Sequence, residues 1–225
     1  MGISRLVGWG ALAALLATTG AASAETYSYS NWGVLGQVVT ITGPNSVTGY
    51  ASQIKLTGPD GTVLAWCVDT ADDLKQSGTY TVLPSSALET ALPGIPNGGL
   101  SWTQIGEIGW LKKSGDDYIS NVSADANVAA AYALAIWTVE YGDSFKYNDP
   151  GQPIDGYVSD LLGDINTEHY TPFYGFRVLE ASGGNQTLIT DSIPEPSTWA
   201  MMAVGLAGLG LAGSRSLRPK PRAAR

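Results

Sequence analysis

The sequence predicts one α+β domain in which sandwich- or barrel-like strands carry a helical insert. Three observations point there. Short β-rich runs with Gly/Pro turns flank the middle of the chain, a 3.6-residue apolar period takes over within it, and strands and helices come in blocks rather than in alternating βαβ units. The chain has 225 residues, 44% hydrophobic and 14% charged, too apolar and too weakly charged for a disordered protein. Residues 25–193 suffice for a single well-buried core, and no internal repeat divides them.

The elements follow in order. Thr26–Ser30, Gln37–Thr42, Gly49–Thr57 and Thr62–Asp69 read as strands, punctuated by Gly43-Pro44-Asn45-Ser46 and Gly58-Pro59-Asp60-Gly61. The second of these turns sits between two apolar-alternating runs and predicts a hairpin. Thr79–Leu83 is a further strand, stopped by Pro84. Trp102–Lys113 then sets Ile105, Ile108 and Leu111 at helical spacing, and its basic end followed by Gly115 predicts a stop. Ser123–Tyr141 is a stronger helix. Val128, Tyr132, Ala135 and Val139 share a face, Ser123 or Asp125 serves as N-cap, and Gly142 ends it. Alanines at 129, 130, 131, 133 and 135 permit close neighbours. Ile154–Ile165 puts Ile154, Val158, Leu161, Leu162 and Ile165 on one face. Strand signals return over Tyr174–Ala181 and Gln186–Thr190.

The two ends are of different character. Arg5, an uncharged stretch from Leu6 to Ala17, and Ala22-Ser23-Ala24 have the layout of a secretory signal over residues 1–24. Cleavage by signal peptidase is expected after Ala24, with Ala22 and Ala24 as the small residues it reads. At the other end, Pro194-Glu195-Pro196 precedes the uncharged run Trp199–Gly213, and Arg215, Arg218, Lys220, Arg222 and Arg225 follow. Fifteen residues fall short of a comfortable transmembrane helix, so 199–213 holds in a bilayer only marginally. The basic end should stay cytoplasmic, with the body on the far side. This tail, residues 194–225, resembles the PEP-CTERM sorting signal. The resemblance implies a Gram-negative bacterium that makes extracellular polysaccharide, transient anchoring in the inner membrane, processing by an exosortase near Pro194, Glu195 and Pro196, and sorting roles for those residues with Arg215 and Arg218. The prolines lock φ and remove backbone donors, which keeps the segment ahead of the span extended and reachable.

Charge narrows the partners. Six of the 12 basic residues and all but one of the 20 acidic residues lie within 25–193, giving the body a formal charge of −13. Such a surface excludes nucleic acid and anionic lipid as partners, because phosphate binding needs basic clusters. One cysteine and one histidine exclude an intramolecular disulfide framework and the common zinc sites; no metal or cofactor is expected. Asp69, Asp72 and Asp73, and the loop Asp143–Asp149, offer oxygens for calcium but fit no EF-hand pattern, and solvated turns are the default reading. Paired carboxylates are uninformative among so many. Trp32, Trp66, Trp102, Trp110 and Trp137 fit a core better than a sugar platform.

The remaining chemistry centres on Cys67, in Ala65-Trp66-Cys67-Val68-Asp69. With the Ile-Gly-Trp-Leu helix and Leu134-Ala135-Ile136-Trp137 further on, this order resembles the thioester domains of bacterial surface proteins. There a cysteine followed by an acidic residue and a glutamine of a TQxA-type helix imply an internal thioester that captures nucleophiles. Aligning Ala135-Ile136-Trp137 on that motif puts Tyr132 at the threonine and Ala133 at the glutamine, and alanine has no carboxamide. Gln104 begins a different helix. The preferred expectation is a related scaffold without the chemistry, with Cys67 a small buried hydrophobe. Cys67 paired with His169 would need a fold that brings them together, and His169 sits in a polar stretch past a helix. The functional expectation is an exported surface or extracellular-matrix protein with a non-enzymatic structural or adhesive role tied to extracellular polysaccharide and biofilm. A covalent adhesin using Cys67, or a secreted carbohydrate-active enzyme, is the alternative.

Overall fold

A computed structural model of the chain describes residues 24–58, 61–90, 95, 98–122, 124–148, 153–191 and 205–206, with side chains from residue 34 onward. Ala22, Pro194, Glu195, Pro196, Arg215 and Arg218 lie outside these residues, as does the predicted span 199–213 except for Gly205 and Leu206. Among the described residues no helix is long and apolar enough to cross a membrane.

The strands are β1 (Ala24–Gly43), β2 (Val47–Gly58), β3 (Gly61–Cys67), β4 (Ser77–Pro84), β5 (Lys146–Asn148), β6 (Phe176–Ala181) and β7 (Leu188–Asp191), and the helices are α1 (Trp102–Asn121), α2 (Ala126–Tyr141) and α3 (Ile154–Asn166). The sheet order is β2-β3-β7-β6-β4-β1-β5, with β1 also paired to β2. Every pairing is antiparallel. Following the ladder from β1 through β2, β3, β7, β6 and β4 therefore returns to β1 and closes a six-stranded barrel, which leaves those strands without an open edge. The seam is at Ser28, whose register partners are Thr57 on β2 and Ser77 on β4.

Two predicted strands, Thr26–Ser30 and Gln37–Thr42, are one long β1. A register shift against β2 between Tyr29 and Val34 bends it, and bulges of this kind let one strand serve two parts of a curved sheet. Past the bend, its end pairs with β5 at Thr40–Asn148 and Ile41–Tyr147. Strand β5 has no signature in the residues, since three of mixed polarity carry no period; it lies in the Asp143–Asp149 stretch weighed above as a calcium loop.

Apolar residues on all sides put α2 in the centre of the molecule, as an all-round apolar helix requires. Ala129, Ala130, Ala131, Ala133, Leu134, Ala135 and Ile136 have no solvent exposure. The helix packs on β1 and β2 and on both α1 and α3, and the small alanine side chains let those neighbours come close. Asp125 is its N-cap, accepting from the Asn127 N–H at 2.8 Å.

Helix α1 runs eight residues past its predicted end at Lys113. Gly115 is not a stop but a point of close approach: a Cβ there would stand 2.9 Å from the Trp66 ring and 3.0 Å from Tyr132. Lys112, read as part of a solvent-facing basic end, is fully buried and bridges Asp116 and Asp191 at 2.6 Å each. Asp116 also accepts from Trp66 Nε1 (2.9 Å) and Gln53 Nε2 (2.6 Å), so one carboxylate ties α1 to β2 and β3 while Lys112 ties it to the end of β7. At the other end Ser101 and Gln104 form a capping box, satisfying donors that the helix itself leaves open.

The face of α1 carrying Gly106 and Gly109 receives the strap 172–174. Phe173 N–H donates to the Gly106 carbonyl at 3.1 Å, and a Cβ on Gly109 would lie 1.7 Å from the Phe173 carbonyl oxygen. Gly109→Ala should therefore lower stability by about 1–3 kcal/mol through overpacking. Gly163→Ala, in α3 with nothing within 4 Å of its added methyl, should raise it by about 0.5–1 kcal/mol through helix propensity. Urea denaturation of the two variants checks both signs.

Candidate functional site

Strand β3 leaves the ladder at Cys67, whose register partner is Leu188. The next three residues are held individually. Val68 N–H donates to the Thr187 carbonyl at 3.1 Å. Asp69 Oδ1 accepts from the backbone of Ala71 (2.7 Å) and Asp72 (3.3 Å), closing a tight turn of the Asx type. Helix α2 reaches the same stretch with side chains one turn apart: Trp137 Nε1 donates to the Cys67 carbonyl at 2.9 Å, and the Tyr141 hydroxyl accepts from Thr70 N–H at 3.3 Å.

The segment ahead of β7 completes the arrangement. The Cys67 thiol donates to Gln186 Oε1 across 2.9 Å, and Gln186 Nε2 donates to the Asp69 carbonyl at 3.1 Å. Both ends of the carboxamide are thus fixed. Asn185 Oδ1 supports the turn by accepting from Gln186 N–H (3.0 Å) and Lys75 N–H (2.9 Å). Cys67, Gln186 and Trp137 line a cleft of about 710 Å³ that also includes Tyr50, Asp72 and Leu74.

The surroundings are buried and acidic. Cys67, Asp69 and Glu140 are 3%, 0% and 2% exposed, which places all three out of water. Burial pushes the Cys67 thiol far above its ordinary range, and the Asp69 and Glu140 carboxyls add to the effect. Glu140 is raised well above the carboxylate range, by burial first and by Asp69 second. Asp69 is raised by burial, offset in part by the Ala71 N–H. Burial likewise raises Tyr141, with Glu140 adding. Both Glu140 oxygens and Asp69 Oδ2 have no hydrogen-bond partner among the described residues. Burial thus favours the protonated thiol and shifts Glu140 toward its neutral form, because the charged forms are the ones that burial penalises.

Of the residues singled out in the sequence, Cys67 is buried as expected, but with a polar partner. Ala133 is buried in α2 and offers no carboxamide; the one beside Cys67 comes from Gln186. Gln104 is occupied, Oε1 in the capping box and Nε2 donating to the Val139 carbonyl at 2.8 Å. His169 is exposed, paired with the Thr167 hydroxyl, and does not line the cleft. Asp72 and Asp73 do, yet among the described residues no group of three His, Cys, Asp or Glu side chains could hold a metal. Trp66 and Trp137 are core; Trp102 is half-exposed and stacks on Tyr174 at 4.3 Å. Gln186 and Glu140 went unrecognised. Glu140 had a signal in the sequence, as the one charged residue of α2. Gln186 had little, since its role depends on which strand lies beside β3.

Residues 192–218 match the PEP-CTERM protein-sorting motif. The chain carries an exosortase sorting signal. That signal marks an exported protein, held transiently at the membrane and then released to the surface. No curated protein matches the chain in sequence. Among solved structures, the N-terminal thioester domain of fibronectin-binding protein SfbI from Streptococcus pyogenes is similar at 14% identity, over 75% of this chain and 94% of that one, with a TM-score of 0.45. The N-terminal domain of the Streptococcus pyogenes pilus tip adhesin Cpa is similar at 14% identity, over 75% and 93%, with a TM-score of 0.41. Both likenesses are distant.

The raised carboxyls set a pH dependence. In the unfolded chain Glu140 loses its proton near 4.5 and Asp69 near 3.8, whereas the folded groups keep theirs to higher pH. Their contribution is complete below those values and is lost as pH rises toward the folded pKa. The urea midpoint should fall between pH 4.5 and pH 8, and Glu140→Gln should flatten that slope.

Proposed function

We propose that this sorted surface protein is a covalent adhesin, whose barrel domain joins Cys67 to Gln186 in an internal thioester and uses it to capture a nucleophile. The observation that carries the reading is the 2.9 Å contact between Cys67 Sγ and Gln186 Oε1. The carboxamide carbon lies one C=O bond, about 1.2 Å, behind that oxygen. Attack by sulfur forms the S–C bond and breaks the C–N bond, and the thiol proton leaves with the nitrogen as ammonia. No oxidant and no metal enter the balance. Holding Cys67 at the end of β3 and Gln186 just ahead of β7 supplies the proximity that such a condensation needs.

The product stores a reactive acyl group beside the cleft. An amine entering there would attack the carbonyl carbon, form an amide and release the Cys67 thiol. Each molecule acts once, so the role is adhesive rather than enzymatic. From the sorting motif we infer the setting: the polysaccharide-rich surface of a Gram-negative bacterium, reached after exosortase acts near Pro194-Glu195-Pro196. The acidic body, soluble and self-repelling, suits such a matrix.

Intact mass tests the chemistry. The thioester form should weigh about 17 Da less than the sequence, and methylamine should add about 31 Da to it. Cys67→Ala and Gln186→Ala should show neither change. Full mass in the native protein, with a Cys67 thiol that reacts with maleimide once the chain is unfolded, would refute the thioester. For the sorting step, replacing Pro194, Glu195 and Pro196 by alanine should leave the arginine-rich end on the cell-associated product, read by the mass of its C-terminal peptide.

A further inference from the structure

Condensing a thiol with a carboxamide moves a proton from sulfur to nitrogen, and among the described residues two buried carboxyls near Cys67, Asp69 and Glu140, have oxygens without a partner. We propose that Glu140 relays the Cys67 proton to the departing Gln186 nitrogen, so that the helix end bearing Trp137 and Tyr141 is part of the reaction rather than only its scaffold. The inference rests on the thioester reading above.

Placement supports it first. Glu140 lies on α2 between Trp137, which donates to the Cys67 carbonyl, and Tyr141, which accepts from Thr70 N–H. The last turn of α2 therefore faces the Cys67–Thr70 stretch. Glu140 is 2% exposed, and neither of its oxygens has a partner. An orphaned buried carboxyl costs stability, so its presence as the one charged residue of α2 calls for a cause. The titratable groups that feel its charge are Cys67, Asp69 just past β3, and Tyr141 on its own helix.

The alternative proton carrier is Asp69, and its geometry is less suited. Its Oδ1 is committed to the backbone of Ala71 and Asp72, leaving one oxygen. Glu140 has two. In the neutral state, one oxygen can receive the proton from sulfur while the other delivers its own to nitrogen. The carboxyl then ends as it began, ammonia departs, and no charge is created in a dry site where a charge would be costly. Burial and the Asp69 carboxyl hold the Glu140 proton more tightly than in a free carboxyl, which fits this use, since a carboxyl that keeps its proton can donate it.

The test follows thioester formation by intact mass. Wild-type protein is opened with ammonia, which regenerates the Gln186 carboxamide, the ammonia is removed, and the fraction that closes again with loss of about 17 Da is measured against time. Glu140→Gln is nearly isosteric and neutral, so folding should survive, and closure should slow by about a hundredfold, within the usual range for lost proton transfer. Asp69→Asn, with the turn preserved, should slow it far less. Wild-type closure should also lose rate as pH rises through the Glu140 titration, and that loss should be absent in Glu140→Gln. If wild type forms the thioester and Glu140→Gln closes at the same rate, the relay is wrong and the thioester reading stands. If wild type never loses ammonia, both fall. Should Glu140→Gln fail to fold, the wild-type profile decides: a rate that is flat or rises from pH 5 to pH 9 overturns the relay.

Discussion

The stretch Cys67–Thr70 is the point on which the molecule turns. It leaves the β3 ladder, yet each of its residues is fixed from a different side: by Trp137 and Tyr141 on the central helix, by Thr187 and Gln186 ahead of β7, and by the turn that the Asp69 carboxylate closes. A backbone that departs from a sheet into the interior must find partners for its polar groups. Here those partners come from elements distant in sequence, so β3, β7 and α2 are locked at one place. That lock brings the thiol and the carboxamide together.

The barrel and the helices divide the work. Closure through the β1 seam gives β3 and β7 fixed neighbours, so Cys67 stands opposite Leu188, two residues past Gln186, and the turn held by Asn185 sets the rest. The helices then seal one side. Alanine-rich α2 presses on β1 and β2, and the buried Lys112 with Asp116 and Asp191 pins α1 to strand ends. A buried ion pair of this kind is poor evidence for stability but constrains geometry, because breaking it strands a charge. The result is a site where Cys67 and Glu140 are both buried and their charged forms are disfavoured.

This polar centre runs against economy. A domain selected for stability alone would fill the space beside Cys67 with apolar side chains, since orphaned carboxyl oxygens weaken the fold. The same feature gives the pocket its chemistry. A neutral thiol facing a fixed carboxamide reacts poorly with outside reagents and is well placed to react with its neighbour. Local violations of packing rules gather at functional sites for this reason.

Much of the architecture is legible in the residues. Period and punctuation locate α2 and α3 to within a few residues and place most strands. The α+β class and the sorting tail also follow from local pattern, because each depends on neighbours a few positions apart. Where the reading fell short, the cause was non-local. Gly115 has the look of a helix stop, yet it is small because Trp66 and Tyr132 press against it. Lys112 has the look of a solvent residue and is a buried tether. Above all, the sequence by itself determined that Cys67 lies on an apolar strand and that the helix offers it only Ala133. Tertiary structure alone decided that Gln186, more than a hundred residues away, stands against its sulfur, because antiparallel pairing of β3 with β7 is set by closure of the whole barrel and by no signal within either strand.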